Sequence, residues 1–104
     1  TGAKRVKCFS TVNGRMFVID YGDGRLATMN QFKEMPYSLS VALKDGSDEY
    51  IKTVSHMFEN LILDMFRFFN TGIPPVQKEE TLEIMALIDA CKKSMLEFDQ
   101  WIEV

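Results

Sequence analysis

The spacing of apolar residues changes once along the chain, near Ser55, and this change limits what the chain can fold into. Before Ser55, short runs rich in β-branched and aromatic residues alternate with glycine-containing turns, a pattern typical of β-strands. After Ser55, apolar residues recur every three or four positions, as they do along one face of an α-helix. Strands followed by helices predict a mixed architecture of the α+β class.

The first half of the chain predicts five short strands. They cover residues 5–12, 15–21, 25–32, 37–43 and 49–54. Asn13-Gly14, a strong hairpin dipeptide, separates the first two strands. Gly22-Asp23-Gly24 follows the second strand, and glycine accepts the positive φ of a tight reversal without steric cost. The first three strands are therefore predicted to be consecutive and antiparallel.

Two amphipathic helices are predicted in the second half. The first begins at the N-cap residue Ser55 and ends at Gly72, which suits a left-handed C-terminal position. Its apolar residues are Met57, Phe58, Leu61, Ile62, Met65, Phe68 and Phe69. The second helix begins near Lys78, after Pro74-Pro75, and its acidic first turns and lysines in the last turn match the helix dipole. Its apolar stripe comprises Ile84, Leu87, Ile88, Cys91, Met95 and Phe98.

Residues 101–104 are apolar enough to predict an additional edge strand. Together, these elements predict a largely antiparallel open sheet with two helices packed on one face, an α+β fold. The opposite face of this sheet is left uncovered. We expect a partner to bind there.

Composition sets the expected size, partners and location. With 104 residues and 46% hydrophobic content, residues 1–104 are expected to form a single domain with one core. A net charge of -3 gives no field that would hold a polyanion, so neither nucleic acid nor an anionic membrane is an expected partner. The sequence has neither an apolar run of roughly 20 residues nor a signal-peptide layout, which predicts a soluble, cytoplasmic protein.

Residues suited to catalysis or metal binding are few and scattered. His56 is the only histidine and follows the predicted N-cap, where a surface role is expected rather than acid–base catalysis. Cys8 and Cys91 lie among apolar neighbours without CxxC spacing, which predicts reduced interior thiols, and a disulfide between them has no sequence support. These three residues form no metal-ligand pattern.

Three further features have local explanations. The glycine triplet at 22–24 precedes a strand, so it lacks the helix that a phosphate-binding loop requires. Asp48-Glu49 is assigned to a solvated turn, and Glu79-Glu80 to a helix N-terminus. The methionines and Phe66, Phe68 and Phe69 are assigned to the core, and if part of this set is exposed, a missing domain or subunit is the expected cause. No catalytic, cofactor-binding or metal-binding residue is assigned.

The last third of the chain resembles a known protein family. Residues 69–76 read Phe-Asn-Thr-Gly-Ile-Pro-Pro-Val, and they are followed by Glu-Glu at 79–80 and by Ile-Asp-Ala-Cys-Lys-Lys-Ser at 88–94. This resembles the C-terminal signature of the Gfo/Idh/MocA oxidoreductases, the family of glucose-fructose oxidoreductase and inositol dehydrogenase. In that family, a helix ends in a Thr-Gly-x-x-Pro-Val turn and the next helix begins with Glu-Glu. Residues 20–25, 37–41 and 101–104 resemble strands of the same domain less specifically.

The resemblance implies the C-terminal α+β domain of an NAD- or NADP-dependent sugar or polyol oxidoreductase. Such a domain shapes the substrate pocket and forms homo-oligomers through its open sheet face. The nucleotide-binding Rossmann domain is missing, as are the Glu-Lys-Pro and Asp-x-x-x-His motifs of the family, so this chain is expected not to be catalytic by itself. The alternative is a stand-alone homo-oligomeric binding or assembly module with the same fold. The substrate, the choice between NAD and NADP, and the oligomeric order stay open.

Overall fold

The computed structural model describes residues 2–104, which divide into two compact units. The sheet unit contains residues 2–33 and 76–104, and the hairpin-helix unit contains residues 34–75. In chain order, the elements are β1 (Arg5–Thr11), β2 (Gly14–Asp20), β3 (Leu26–Phe32), β4 (Leu39–Ala42), β5 (Asp48–Ile51), α1 (Met57–Thr71), α2 (Lys78–Ser94) and β6 (Trp101–Glu103). The assignment of all 104 residues to one domain stays a prediction.

The sheet unit contains a four-stranded antiparallel sheet in the order β3-β2-β1-β6. Its first three strands are consecutive along the chain, as predicted, and each begins or ends within one residue of the predicted bound. The predicted edge strand at the end of the chain is also confirmed, because β6 pairs with β1 and places Ile102 opposite Val6.

The turns of this sheet depend on glycine. At the β1–β2 hairpin, a Cβ on Gly14 would lie 2.2 Å from the carbonyl oxygen of Gln31, so a larger residue does not fit beside β3. Between β2 and β3, Gly22 and Gly24 have φ values of 74° and 89°, in the left-handed region that favours glycine. The carboxylate of Asp20 accepts a hydrogen bond of 2.8 Å from the Gly22 amide. The predicted chain reversal is therefore confirmed.

The core of the sheet unit lies between one face of the sheet and α2. Because side chains alternate between the two faces of a strand, every second residue of β1 and β2 points towards the helix. The buried apolar residues are Val6, Cys8, Phe17 and Ile19 from the sheet and Ala90 and Cys91 from the helix. Burying a valine, isoleucine or phenylalanine side chain stabilises a protein by about 1.5–3 kcal/mol, so this small core dominates the stability of the unit.

Helix α2 begins at Lys78, as predicted, after Gln77 in an extended conformation. Acidic residues occupy its first turn and lysines its last, and Lys93 pairs with Asp89 at 2.8 Å. Small residues seat the helix on the sheet, because Ala90, Cys91 and Ser94 are buried. The predicted apolar stripe is only partly covered: Leu87 and Met95 are half-buried against the core, whereas Ile84, Ile88 and Phe98 are exposed.

The hairpin-helix unit contains the β4–β5 hairpin and α1. The two strands pair antiparallel, with Leu39 opposite Ile51, and are shorter than predicted. Their turn includes Gly46 at φ 86°. Asp48-Glu49 is exposed to solvent, as predicted, but it opens β5, so its assignment to a turn was wrong. The ladder reaches one residue further towards the turn than the sequence pattern indicated.

Helix α1 ends as predicted but begins one residue later. Gly72 closes it at φ 69°, and its amide donates to the Phe68 carbonyl at 2.7 Å. The predicted N-cap, Ser55, was wrong: His56 takes that position in a left-handed conformation. The first helical hydrogen bond runs from the Asn60 amide to the His56 carbonyl at 3.0 Å, which leaves Ser55 outside the helix.

The α+β class with an open, largely antiparallel sheet is confirmed. Helix α2 packs on one face of the four-stranded sheet, and α1 belongs to the hairpin-helix unit. Over residues 2–104, neither helix combines the length and the apolar character that crossing a membrane would require.

Candidate functional site

The side of the four-stranded sheet opposite α2 combines charged, apolar and aromatic side chains. We call it the outer sheet face. The strand register places Lys7 beside Val18 and Trp101, and Phe9 beside Met16. Its half-buried members are Arg5, Lys7, Phe9, Met16, Val18, Asp20 and Phe32, and its exposed members are Leu26, Thr28, Asn30, Trp101 and Glu103. The neighbouring strands shield these residues from the sides, but α2 packs on the other face.

Charged groups on the outer sheet face are paired with each other and cover aromatic rings. The Arg5 guanidinium binds the Asp20 carboxylate at 2.8 Å and lies 4.5 Å from the centre of the Trp101 ring. Lys7 Nζ lies 2.6 Å from Asp99 Oδ1 and also approaches the rings of Trp101 and Phe9. Cations over aromatic faces are attracted by the ring quadrupole. This half of the face is therefore an ordered array of charges and aromatic rings.

The Asp20 carboxylate is held in its charged form. The Gly22 amide and the Arg5 guanidinium both donate hydrogen bonds to it and lower its pKa below the ordinary aspartate value. At neutral pH, the negative charge of Asp20 therefore balances the positive charge of Arg5. The outer sheet face presents a pair of opposite charges rather than a free cation at this position.

The apolar residues of α1 form the second surface. We call Met57, Phe58, Leu61, Ile62, Met65, Phe68 and Phe69 the α1 apolar face. These side chains are 40–78% exposed, and α1 contains no buried residue. The assignment of Phe66, Phe68, Phe69 and the α1 methionines Met57 and Met65 to the core was therefore wrong, because all five are exposed. The helical spacing predicted the shared face correctly, but spacing does not specify what covers a face.

His56 lies on the surface at the start of α1, as predicted. Its ring hydrogen-bonds to the Glu59 carboxylate one turn along, and both side chains are about 70% exposed. A general base needs a positioned partner and shelter from water. Glu59 supplies a partner, but the site is open to solvent.

The two cysteines are buried free thiols in the core between β1 and α2, which confirms that prediction. Burial raises the pKa of both thiols, and the neighbouring Cys8 raises that of Cys91 further. A raised pKa lowers the thiolate fraction, and the thiolate is the nucleophile and the metal ligand. Cys8 and Cys91 therefore act as small apolar core residues.

The remaining candidates lie apart from one another. Gly22-Asp23-Gly24 connects β2 to β3, so no helix N-terminus follows it, and Glu79-Glu80 lies in the first turn of α2. The hollow at the β1–β2 turn is lined partly by the exposed side chains of Ser10, Arg15 and Gln31. Among the described residues, no group of three or more histidine, cysteine, aspartate or glutamate side chains has an arrangement that could hold a metal ion.

The array of Arg5, Asp20 and Trp101 was not predicted from the sequence. These residues come from β1, β2 and β6, and only the sheet register brings them together. The alternation of Arg5, Lys7 and Phe9 with the buried Val6 and Cys8 was the available signal. It indicated a second face of β1, but not its neighbours.

No known protein family, curated protein or solved structure matches this chain.

Proposed function

We propose that this chain is the C-terminal domain of an NAD- or NADP-dependent sugar or polyol oxidoreductase. In this role it is not catalytic by itself, and it contributes a wall of the substrate pocket and a surface for homo-oligomerisation. The exposed α1 apolar face carries the proposal. Its seven apolar side chains lie on one side of a helix, and such a patch normally marks an interface with another domain or subunit.

The segment that resembles the Gfo/Idh/MocA family supports the proposal through its local structure. Gly72 ends α1 in the left-handed conformation, the two prolines follow, and α2 starts at Lys78. Ala90 and Ser94 lie one turn apart on the buried side of α2. Their small size allows the helix to approach the sheet closely, and the Ser94 hydroxyl donates to the Cys91 carbonyl at 2.8 Å. Gly72, Ala90 and Ser94, which belong to the segment that carries the resemblance, therefore have structural roles.

The described residues do not fit a nicotinamide dinucleotide. A dinucleotide site needs a glycine-rich turn between a strand and a helix, so that backbone amides and the helix dipole both face the pyrophosphate. The only comparable turn in residues 2–104, Gly22-Asp23-Gly24, leads into β3. The proposal therefore assigns nucleotide binding to another domain of the parent protein.

The experiment that tests the proposal begins with the coding sequence upstream of Thr1. We expect it to encode a strand, a glycine-rich turn and a helix, followed by a Glu-Lys-Pro segment. The protein that includes this segment is expected to reduce NAD+ or NADP+ with a member of a sugar and polyol panel, as followed by nucleotide absorbance. Residues 1–104 alone, at the same concentration, are the matched control and are expected not to bind the nucleotide. Saturable nucleotide binding by residues 1–104, or a start codon directly before Thr1, would contradict the proposal.

The second candidate is a stand-alone homo-oligomeric binding or assembly module. The outer sheet face favours it, because Phe9, Met16 and Val18 form an apolar strip beside paired charges on a surface that α2 leaves open. Two copies related by a two-fold axis would bury the same strip on each other. A dimer in light scattering that dissociates when Val18 is replaced by glutamate would support this candidate. Val12→Glu, at the fully exposed β1–β2 turn, is the control. A monomer at all concentrations argues against this candidate.

A cytoplasmic location is part of the proposal. Both cysteines are free thiols, and disulfides are rare where glutathione and thioredoxin keep thiols reduced.

A further inference from the structure

We draw no further inference here: the strongest candidate, the exposed α1 apolar face of the hairpin-helix unit, carries nothing beyond the proposed interface because nothing in the structure shows what covers it.

Discussion

The more apolar of the two helices, α1, is the less buried one. Helix α1 carries large apolar residues such as Phe58 and Phe69, yet none of its side chains is buried. Helix α2 is the more polar of the two along its length, yet it buries Ala90, Cys91 and Ser94 against the sheet. The comparison shows that apolar content does not decide which helix forms the core. Small residues at the contact, and a sheet that presents a matching apolar face, decide it.

The same difference separates the two units. The sheet unit has a continuous core of six buried apolar residues, all from β1, β2 and α2. In the hairpin-helix unit, β4, β5 and α1 contain no buried residue. Since burial of apolar surface is the dominant favourable term in folding, the sheet unit is expected to contain most of the stability measured for the chain.

Removing a core aromatic side chain tests this difference most strongly. Phe17→Ala is expected to lower the free energy of unfolding by about 3–5 kcal/mol, because it deletes a buried side chain and leaves a cavity. The matched control is Phe58→Ala on the exposed α1 apolar face, expected to change it by no more than about 0.5 kcal/mol. Urea unfolding followed by far-ultraviolet circular dichroism measures both, because this signal includes the strands and helices of both units.

If Phe17→Ala does not fold, Phe17→Leu replaces it. This variant is expected to lower the free energy of unfolding less than Phe17→Ala would, but more than Phe58→Ala. Equal losses for Phe17 and Phe58 would show that the α1 apolar face is covered in solution.

Enlarging the small contact residues of α2 gives the next largest effect. Ala90→Leu is expected to destabilise the chain by about 1–3 kcal/mol, because the added isopropyl group overpacks the contact with the sheet. Ala86→Leu makes the same change at an exposed position of the same helix and is expected to stay within about 0.5 kcal/mol of the original. Thermal unfolding by circular dichroism compares the two. A similar loss at both positions would argue that α2 is not seated through Ala90.

The α1 apolar face predicts binding of a hydrophobic dye. Replacing both Ile62 and Phe69 with serine is expected to lower dye fluorescence several-fold, since these residues contribute much of the exposed apolar surface. Val12→Ser is the control, because Val12 is fully exposed but isolated at a turn. Unchanged dye binding in the double variant would place the accessible apolar surface elsewhere, with the outer sheet face as the next candidate.

The smallest expected effect is a pH dependence that belongs to the sheet unit. The pKa of Asp20 is lowered in the folded state by the Gly22 amide and by Arg5. A lowered pKa stabilises the fold above the unfolded aspartate value, about 3.9, and this contribution is lost as pH falls through the folded value. The urea midpoint is therefore expected to fall less steeply below about pH 4 in Asp20→Asn than in the original chain.

The control for this measurement is Asp45→Asn. The pKa of Asp45 is also lowered, by hydrogen bonds from the side chain and the amide of Ser47, but this group lies in the hairpin-helix unit. With Trp101 as the fluorescent reporter, only Asp20→Asn is expected to alter the pH profile. A matching change in Asp45→Asn would mean that the two units unfold as one.

Local sequence signals predicted most boundaries of the fold. Asn13-Gly14 and the glycine triplet located the first three strands, and Gly72 and Lys78 located the end of α1 and the start of α2. These signals are reliable because each depends on a few adjacent residues, such as a glycine at positive φ. His56 at the start of α1 was missed, since histidine carries no intrinsic preference for the left-handed conformation comparable to that of glycine.

Long-range features were not predictable in the same way. The array of Arg5, Asp20 and Trp101 depends on the pairing of β1 with β6, which lie at opposite ends of the described chain. The exposure of Phe58 and its neighbours depends on what surrounds α1, and periodicity does not report the surroundings. The chain divides into its two units at residues 33–34 and 75–76. The sequence pattern did not predict these boundaries.

The hairpin-helix unit lies, in sequence, between the two segments of the sheet unit, and this order affects folding during translation. Strand β1 is translated before residues 34–75, whereas two of its partners, α2 and β6, are translated after them. At roughly 5–20 residues per second, the intervening segment takes several seconds to emerge. During that interval, Val6 and Cys8 have strand neighbours but no helix over them. We therefore expect chaperones that hold apolar segments to bind the nascent β1–β2–β3 meander until α2 and β6 bury it.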